Sequence, residues 1–536
     1  MQQRQGAGIS KRFPLNRPTA KEARRKGYAM LTPSLTADAG TPLYEQLYRH
    51  IRSCIENGEL AGNDRLPSRR NLAEHAHISP FTVDNAYRQL LAEGYVYTVP
   101  KRGYFVCDLP PMIASERCQK PSGSRIRSKE DAEGSGCGAR DSSGTGLQRQ
   151  PDPTTSPSQP QGMPAAADPQ ERPPSDEAIR YDLKTNAVDI THFPYSVWSR
   201  LMRECMRENP ASLLAAGDPE GDEGLRREIA HYLHAFRGME VDPSRIVVGA
   251  GTEYLIGLIT ELVAEASVAF EDPGYDKIPR LLAARHVAGY PVPVDDDGIR
   301  VDELERTPAS LVVVTPSNHF PTGAVMGIGR RTRLLDWASQ GRRYIIEDDF
   351  DSEFRFVRRP IPTLHSLDRG DNVIYLNSFA TTLTPSLRIA YLVLPLDLMD
   401  DYRTRLRFYS STVSRFEQLT LKRFLERGYY ERHLNRMRGL YKARKSAFLD
   451  ELKPLGDQLA TKGQDAGLHL VLTMPRLTEE NLVNLSRAQG VGVRPLSRSY
   501  AGTAPETHAV VAGYAGFQEE ELRQAARLLV EAWSEG

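Results

Sequence analysis

Cysteine is scarce in this sequence: there are five in 536 residues (Cys54, Cys107, Cys118, Cys137 and Cys205), and none are spaced as CxxC or CxxxC. That spacing excludes a disulfide framework and offers no metal site, and it fits a reducing compartment. An excess of either charge is also missing, with 69 basic and 69 acidic residues, so any surface for a polyanion must be local. No long hydrophobic run is present. The longest apolar region, around Leu255–Phe270, is interrupted by Glu261 and Glu265 and is too short and too charged to span a bilayer. The first residues, "MQQRQGAGISKRFPLNRPTAKEARRKGY", are basic but carry no apolar segment, so they do not read as a secretory signal. A cytoplasmic protein with no membrane partner is expected.

A chain of this length exceeds one core, and its pattern divides into four parts. Residues 1–40 read as a disordered basic arm and 41–108 as a densely patterned small domain. The stretch 109–176 ("PDPTTSPSQPQGMPAAADPQERPP" within it) is too polar to bury a core and is expected to be a flexible linker. From 177 to 536, short Val/Ile/Leu runs alternate with helical patterns, which predicts a mostly parallel sheet in an α/β domain. No internal repeat is visible.

In the small domain, Leu43, Leu47, Ile51 and Ile55 line one face of a helix, and "SRRNLAEHA" supplies a short second one. In "HISPFTVDNAYRQLLAEG" the apolar stripe is Val83, Ala86, Tyr87, Leu90 and Leu91. Ser79 is placed to cap that helix, with Pro80 at its first position. "YVYTVPKRGYFV" is a strand, a turn and a strand. Three helices and a hairpin make a winged helix-turn-helix. Arg69 and Arg70, the outward Thr82, Asn85, Arg88 and Gln89, and Lys101 and Arg102 at the wing tip are residue types that contact phosphates and base edges. The plainer alternative is a packing module with no nucleic-acid role.

Residues 42–106, with "LPSRRNLA" and "TVDNAYRQLLAEGY", resemble a GntR-type winged helix. The resemblance implies that Arg70, Ser79, Thr82 and the wing residues Lys101, Arg102 and Gly103 touch a double-stranded DNA operator. One departure is Pro80, where that family usually has arginine.

In the large domain, candidate ligand groups recur where predicted strands end, the edge at which open α/β sheets bind ligands. "RIVVGAGTEYLIGLI" is a strand, a Gly251-Thr252 turn and a helix, whose free N–H groups would face an anion. Tyr275 ends "SVAFEDPGY", Asn318 lies in "LVVVTPSNHFPTG" and Asp348 in "YIIEDDFDSEF", while "NSFATTLTPSLRIAYLVLP" carries Ser378 and Arg388. Each alone has a dull explanation as a turn, a solvated loop or a surface residue.

As an ordered series these motifs resemble the fold type I aminotransferases that use pyridoxal phosphate. Behind a GntR-type winged helix they resemble the MocR/GabR-type transcriptional regulators over 41–108 and 181–536. The resemblance implies that Gly251, Thr252, Ser378 and Arg388 hold a phosphate, Tyr275 stacks on a pyridine ring, and Asp348 pairs with its nitrogen. Asn318 falls in the same pocket, and Arg498, or else Arg494, takes an amino-acid carboxylate. The departures cluster there too. The lysine that would form an imine aligns with Thr381, whose hydroxyl can neither do so nor act as an amine base. Neither Lys277 nor Lys422 offers a substitute. A tyrosine donor aligns with Phe350, the usual His-Gln pair is Asn318-His319, and the usual Gln is Glu253, an acid beside any phosphate.

The resulting expectation is a homodimeric DNA-binding regulator without catalysis, having a winged helix-turn-helix followed by an aminotransferase-like sensor or dimerisation domain. Its effector would be an amino acid or a form of vitamin B6, and any pyridoxal phosphate would be held non-covalently. The alternatives are an active aminotransferase with a DNA-binding module and an empty structural dimeriser.

Overall fold

The computed structural model describes residues 42–76, 78–99, 102–107, 179–185, 187–208, 210–263, 265–356 and 362–534. The expected basic arm (1–40) and linker (109–176), and the wing residue Lys101, lie outside the described residues.

The small domain is built from α1 (Leu43–Glu56), α2 (Arg69–His75), α3 (Pro80–Ala92), β1 (Val96–Val99) and β2 (Gly103–Val106). The two strands pair antiparallel, with Val99 opposite Gly103. Short polar side chains start both later helices: Ser68 accepts from the Asn71 N–H and Ser79 from the Thr82 N–H. Leu47, Ile51 and Ile55 of α1 close on Val83, Ala86, Tyr87 and Leu90 of α3. The stripe expected on α3 is one residue too wide. Leu91 is 38% exposed, because it lies about 100° around the helix from Leu90 and faces out.

Two large-domain residues, Ile328 and Leu367, complete this small core. At that seam the Ile328 N–H donates to the Glu93 carbonyl at 2.9 Å. Gly94 allows the approach twice over: its φ is +77°, and a Cβ there would stand 3.3 Å from the Ile328 nitrogen.

The large domain centres on an eight-stranded sheet of β3 (Ile246–Gly249), β4 (Ser267–Asp272), β5 (Ala288–Asp295), β6 (Gly298–Ile299), β7 (Leu311–Val314), β8 (Tyr344–Asp348), β9 (Val373–Ser378) and β10 (Ala390–Val393). Their order is β3-β10-β9-β8-β7-β4-β5-β6. β10 runs antiparallel to both neighbours and β6 to β5, while the other pairs are parallel. The runs IVVG and LVVV are buried throughout, as strands covered on both faces require. β3 leads into α4 (Thr252–Leu262), β4 into α5 (Lys277–Ala284) and the loop after β7 into α6 (Ile328–Ser339).

A second sheet of β11 (Ala460–Lys462), β12 (His469–Thr473), β13 (Arg494–Pro495) and β14 (Ala509–Gly513) is antiparallel, in the order β11-β12-β14-β13. The alternation of strands and helices did not announce it. The long helices α7 (Tyr429–Leu452) and α8 (Glu519–Ser534) pack against each other beside it. Among the described residues no helix is long and apolar enough to cross a membrane, and no cluster of His, Cys, Asp and Glu could hold a metal ion.

Candidate functional site

The small domain gathers its polar residues on one face. Asp84, nearly buried on α3, accepts from Arg69 of α2 and Arg88 of α3, so one carboxylate clamps the two helices of the helix-turn-helix. The Tyr87 hydroxyl adds a 2.9 Å bond to the Pro67 carbonyl. Arg70 is exposed on α2, Ser79 and Thr82 share a 2.8 Å hydroxyl contact at the start of α3, and Arg102 lies over Phe105 at the wing. Gly103, at φ +106°, turns the wing back. Phe81, missed in the sequence pattern, is 72% exposed beside Ser79 and gives this face an apolar point of the kind that meets a thymine methyl.

In the large domain the sheet brings the ends of β3, β4, β7, β8 and β9 to one edge, and the reversed β10 starts there, two residues after Arg388. Gly251, at φ +93°, caps α4, and a Cβ on it would stand 2.3 Å from the Arg388 guanidinium, so glycine is required for Arg388 to lie against the turn. Arg388 itself has φ +51°. Its Nη2 reaches the Glu253 carboxylate at 3.0 Å and the Ala250 carbonyl at 3.3 Å. The other Glu253 oxygen takes Lys277 Nζ at 2.6 Å. Burial acts to raise the Glu253 carboxyl, but hydrogen bonds from Lys277, its own backbone and Arg388 outweigh it and hold it at about 2. The Ser378 hydroxyl donates to the Ile389 carbonyl and accepts from the Ala380 N–H.

The family profile for bacterial regulatory proteins of the gntR family matches residues 43–106, and that for aminotransferase class I and II matches 182–529. The chain is 34% identical to the HTH-type transcriptional regulator YhdI of Bacillus subtilis (strain 168), over 94% of this chain and 98% of that one. It is also 34% identical to the probable rhizopine catabolism regulatory protein MocR of Rhizobium meliloti, over 93% and 95%. The chain belongs to the MocR-type regulators. Its large domain has the aminotransferase fold: the multiple substrate aminotransferase of Thermococcus profundus superposes with a TM-score of 0.59 at 22% identity, covering 66% of this chain and 91% of that one. That fold typically binds pyridoxal phosphate.

Asp348, at the end of β8, is raised to about 7 by burial first and then by Asp349 and Glu253. Tyr275 and Phe350 flank Phe320, at ring distances of 6.3 and 6.4 Å, and His469 packs on the same ring at 5.1 Å. The Arg494 guanidinium stands 5.8 Å from Phe320 and 3.5 Å from Asp276, and its Nε and Nη2 are buried without a hydrogen bond among the described residues. Both amide atoms of Asn318 are likewise buried and unbonded, against Gly467. Arg498 lies on the exposed side of the turn after β13. The arrangement therefore brings Gly251, Thr252, Ser378 and Arg388 together at one corner and Tyr275 close by, while Arg498 is exposed on a turn whose next residue, Ser499, accepts from the Gly274 N–H at 2.8 Å. Sequence spacing had set Lys277 aside as a residue of another loop. Its position just after Tyr275, at the first residue of α5, is the signal that could have placed it here.

Pyridoxal phosphate does not fit these residues in the manner the resemblance implies. Thr381 presents no amine, Phe350 has no donor, and the Glu253 carboxylate already takes the cations of the phosphate corner.

Proposed function

We propose that this protein is a cytoplasmic, homodimeric DNA-binding regulator whose aminotransferase-like domain senses a small molecule without catalysis. The observation that carries the reading is that the Glu253 carboxylate already takes Lys277 and Arg388, the cations of the phosphate corner, while a hydroxyl, Thr381, stands where the resemblance calls for a lysine. A hydroxyl can neither form an imine nor act as an amine base. The effector class is an amino acid or a vitamin B6 form. Arg494, whose buried Nε has no hydrogen bond, is our choice over the exposed Arg498 to receive a carboxylate, which would share its guanidinium with Asp276. Any pyridoxal phosphate would be non-covalent, with Arg388, Ser378 and Asp348 as its partners, and would have to displace the Glu253 carboxylate. The DNA surface we assign is Arg70, Ser79, Thr82, Lys101, Arg102 and Gly103.

The reading is tested by anisotropy titration of a genomic operator fragment with and without candidate amino acids and B6 vitamers, beside an amino-acid turnover assay. A ligand-dependent shift in operator affinity with no turnover is the expected result. Turnover would favour the active aminotransferase instead, and sedimentation of a monomer at micromolar concentration would remove the dimer.

A further inference from the structure

The phosphate corner of the large-domain pocket contains the parts of an anion site and also an anion. Its two cations are Arg388 and Lys277, reaching the same carboxylate at 3.0 and 2.6 Å. Glu253 is the second residue of α4, so its carboxylate also takes the positive end of that helix, including its own backbone N–H. Ser378 bonds backbone on both sides of its hydroxyl, and the Arg388 nitrogen that meets Glu253 also reaches the Ala250 carbonyl. Counting Arg388, Lys277 and Glu253 leaves the corner at +1.

We propose that Glu253 is the resident anion of this corner and that it bars phosphate esters from the pocket, which takes a ligand without a phosphate group. A phosphate monoester carries close to two negative charges at neutral pH. Entering beside Glu253, it would turn a corner at +1 into one at about −1, and it would find each cation already paired. Removing the carboxylate charge leaves two cations for one dianion. Resting on the sensor reading given above, the ligand class narrows to unphosphorylated molecules, such as an amino acid or an unphosphorylated B6 vitamer, seated against Tyr275, Phe320 and Asp348. Glu253 stays ionised through the neutral range, held low by Lys277 and Arg388 against its burial, so the bar does not lift with mild acidification.

The test compares wild type with Glu253→Gln in the full-length protein, by calorimetric titration with inorganic phosphate, pyridoxal phosphate and pyridoxal. The variant is expected to bind inorganic phosphate and pyridoxal phosphate at least about tenfold more tightly than wild type, because exposed charges a few ångströms apart are partly screened yet still repel. Pyridoxal affinity should change little. Wild type alone supplies a second reading should the variant fold poorly: it should not prefer pyridoxal phosphate over pyridoxal. Equal phosphate affinity in both proteins, or a wild-type preference of tenfold or more for the phosphorylated vitamer, overturns the proposal. The phosphate arm needs no regulatory output. If ligands leave operator affinity unchanged while Glu253→Gln gains phosphate, the sensor reading fails and the role of Glu253 stands.

Discussion

The Asp351 carboxyl group accepts from the Leu468 N–H at 3.3 Å, and burial, then the nearby Glu353, push it up to about 8. At neutral pH Asp351 is therefore mostly protonated, and the Thr381 hydroxyl adds no charge to its surroundings. An amine introduced there would meet both this carboxyl group and a phosphate corner that is already filled. With pyridoxal phosphate, wild type should show no borohydride-fixable mass adduct on the peptide containing Thr381. Thr381→Lys alone should show little, and Thr381→Lys with Glu253→Gln a clear one. An adduct in wild type would mean that another amine, Lys277 first, reacts.

The double variant Arg70→Ala, Arg102→Ala should weaken binding to every genomic fragment alike. It should also lower the slope of log affinity against log salt by about 2 per winged helix. An unchanged slope would remove both residues from the DNA surface.

Asp84→Asn should leave the small domain folded, since the apolar contacts of α1 and α3 are untouched, yet reduce operator affinity. Arg69 and Arg88 lose their common anchor, and α2 and α3 lose a fixed relative angle. The pairs are half in solvent, so the stability change should stay within about 1 kcal/mol. A large loss of stability with normal DNA affinity would reverse that assignment.

Glu271 is raised to about 8 by burial, offset only in part by its bonds from Thr315, whereas His319 and His469 are pushed down to about 3 and about 4 by burial. The raised acid binds its proton in the folded state but not in the unfolded chain, so its contribution is full below about pH 4.5 and is lost as pH rises through 8. The two histidines act oppositely: they stay neutral when folded, and stability falls as pH drops from about 6.5 toward 4. Thermal melts of Glu271→Gln should match wild type near pH 5 and lie above it by a few degrees at pH 8. Parallel curves at both pH values would refute the assignment.

The small domain was legible because its caps and stripes are local. Ser79 and Pro80 start α3, and Val83, Ala86, Tyr87 and Leu90 repeat at helical spacing, so neighbouring residues alone specify the element. The sheet edge was legible for a similar reason, since Gly251 and Asn318 follow apolar strands and Asp348 and Ser378 end them. The pairings between segments were not. Nothing near Glu253 in the chain announces Lys277, 24 residues on, or Arg388, 135 residues on, as its partners. Arg494 and Arg498 could not be ranked, because β13 is two residues long, too short for alternation to show which way a side chain faces.

The seam at Ile328 and Glu93 makes α3 a lever. Its fulcrum is the Glu93 end, joined by a backbone hydrogen bond to the start of α6, and its far end is Ser79. Thirteen residues of helix span about 20 Å, so a tilt of roughly 5° at the fulcrum swings Ser79 by close to 2 Å. A hydrogen bond to a base edge does not survive a displacement of that size. α6 follows directly on the loop that carries Asn318 and Phe320, and the buried Arg331 within it bonds the carbonyls of Pro316 and Met326 in that loop. A shift in the pocket loop too small to alter the fold would, magnified along α3, move the tip of the DNA-facing helix out of register.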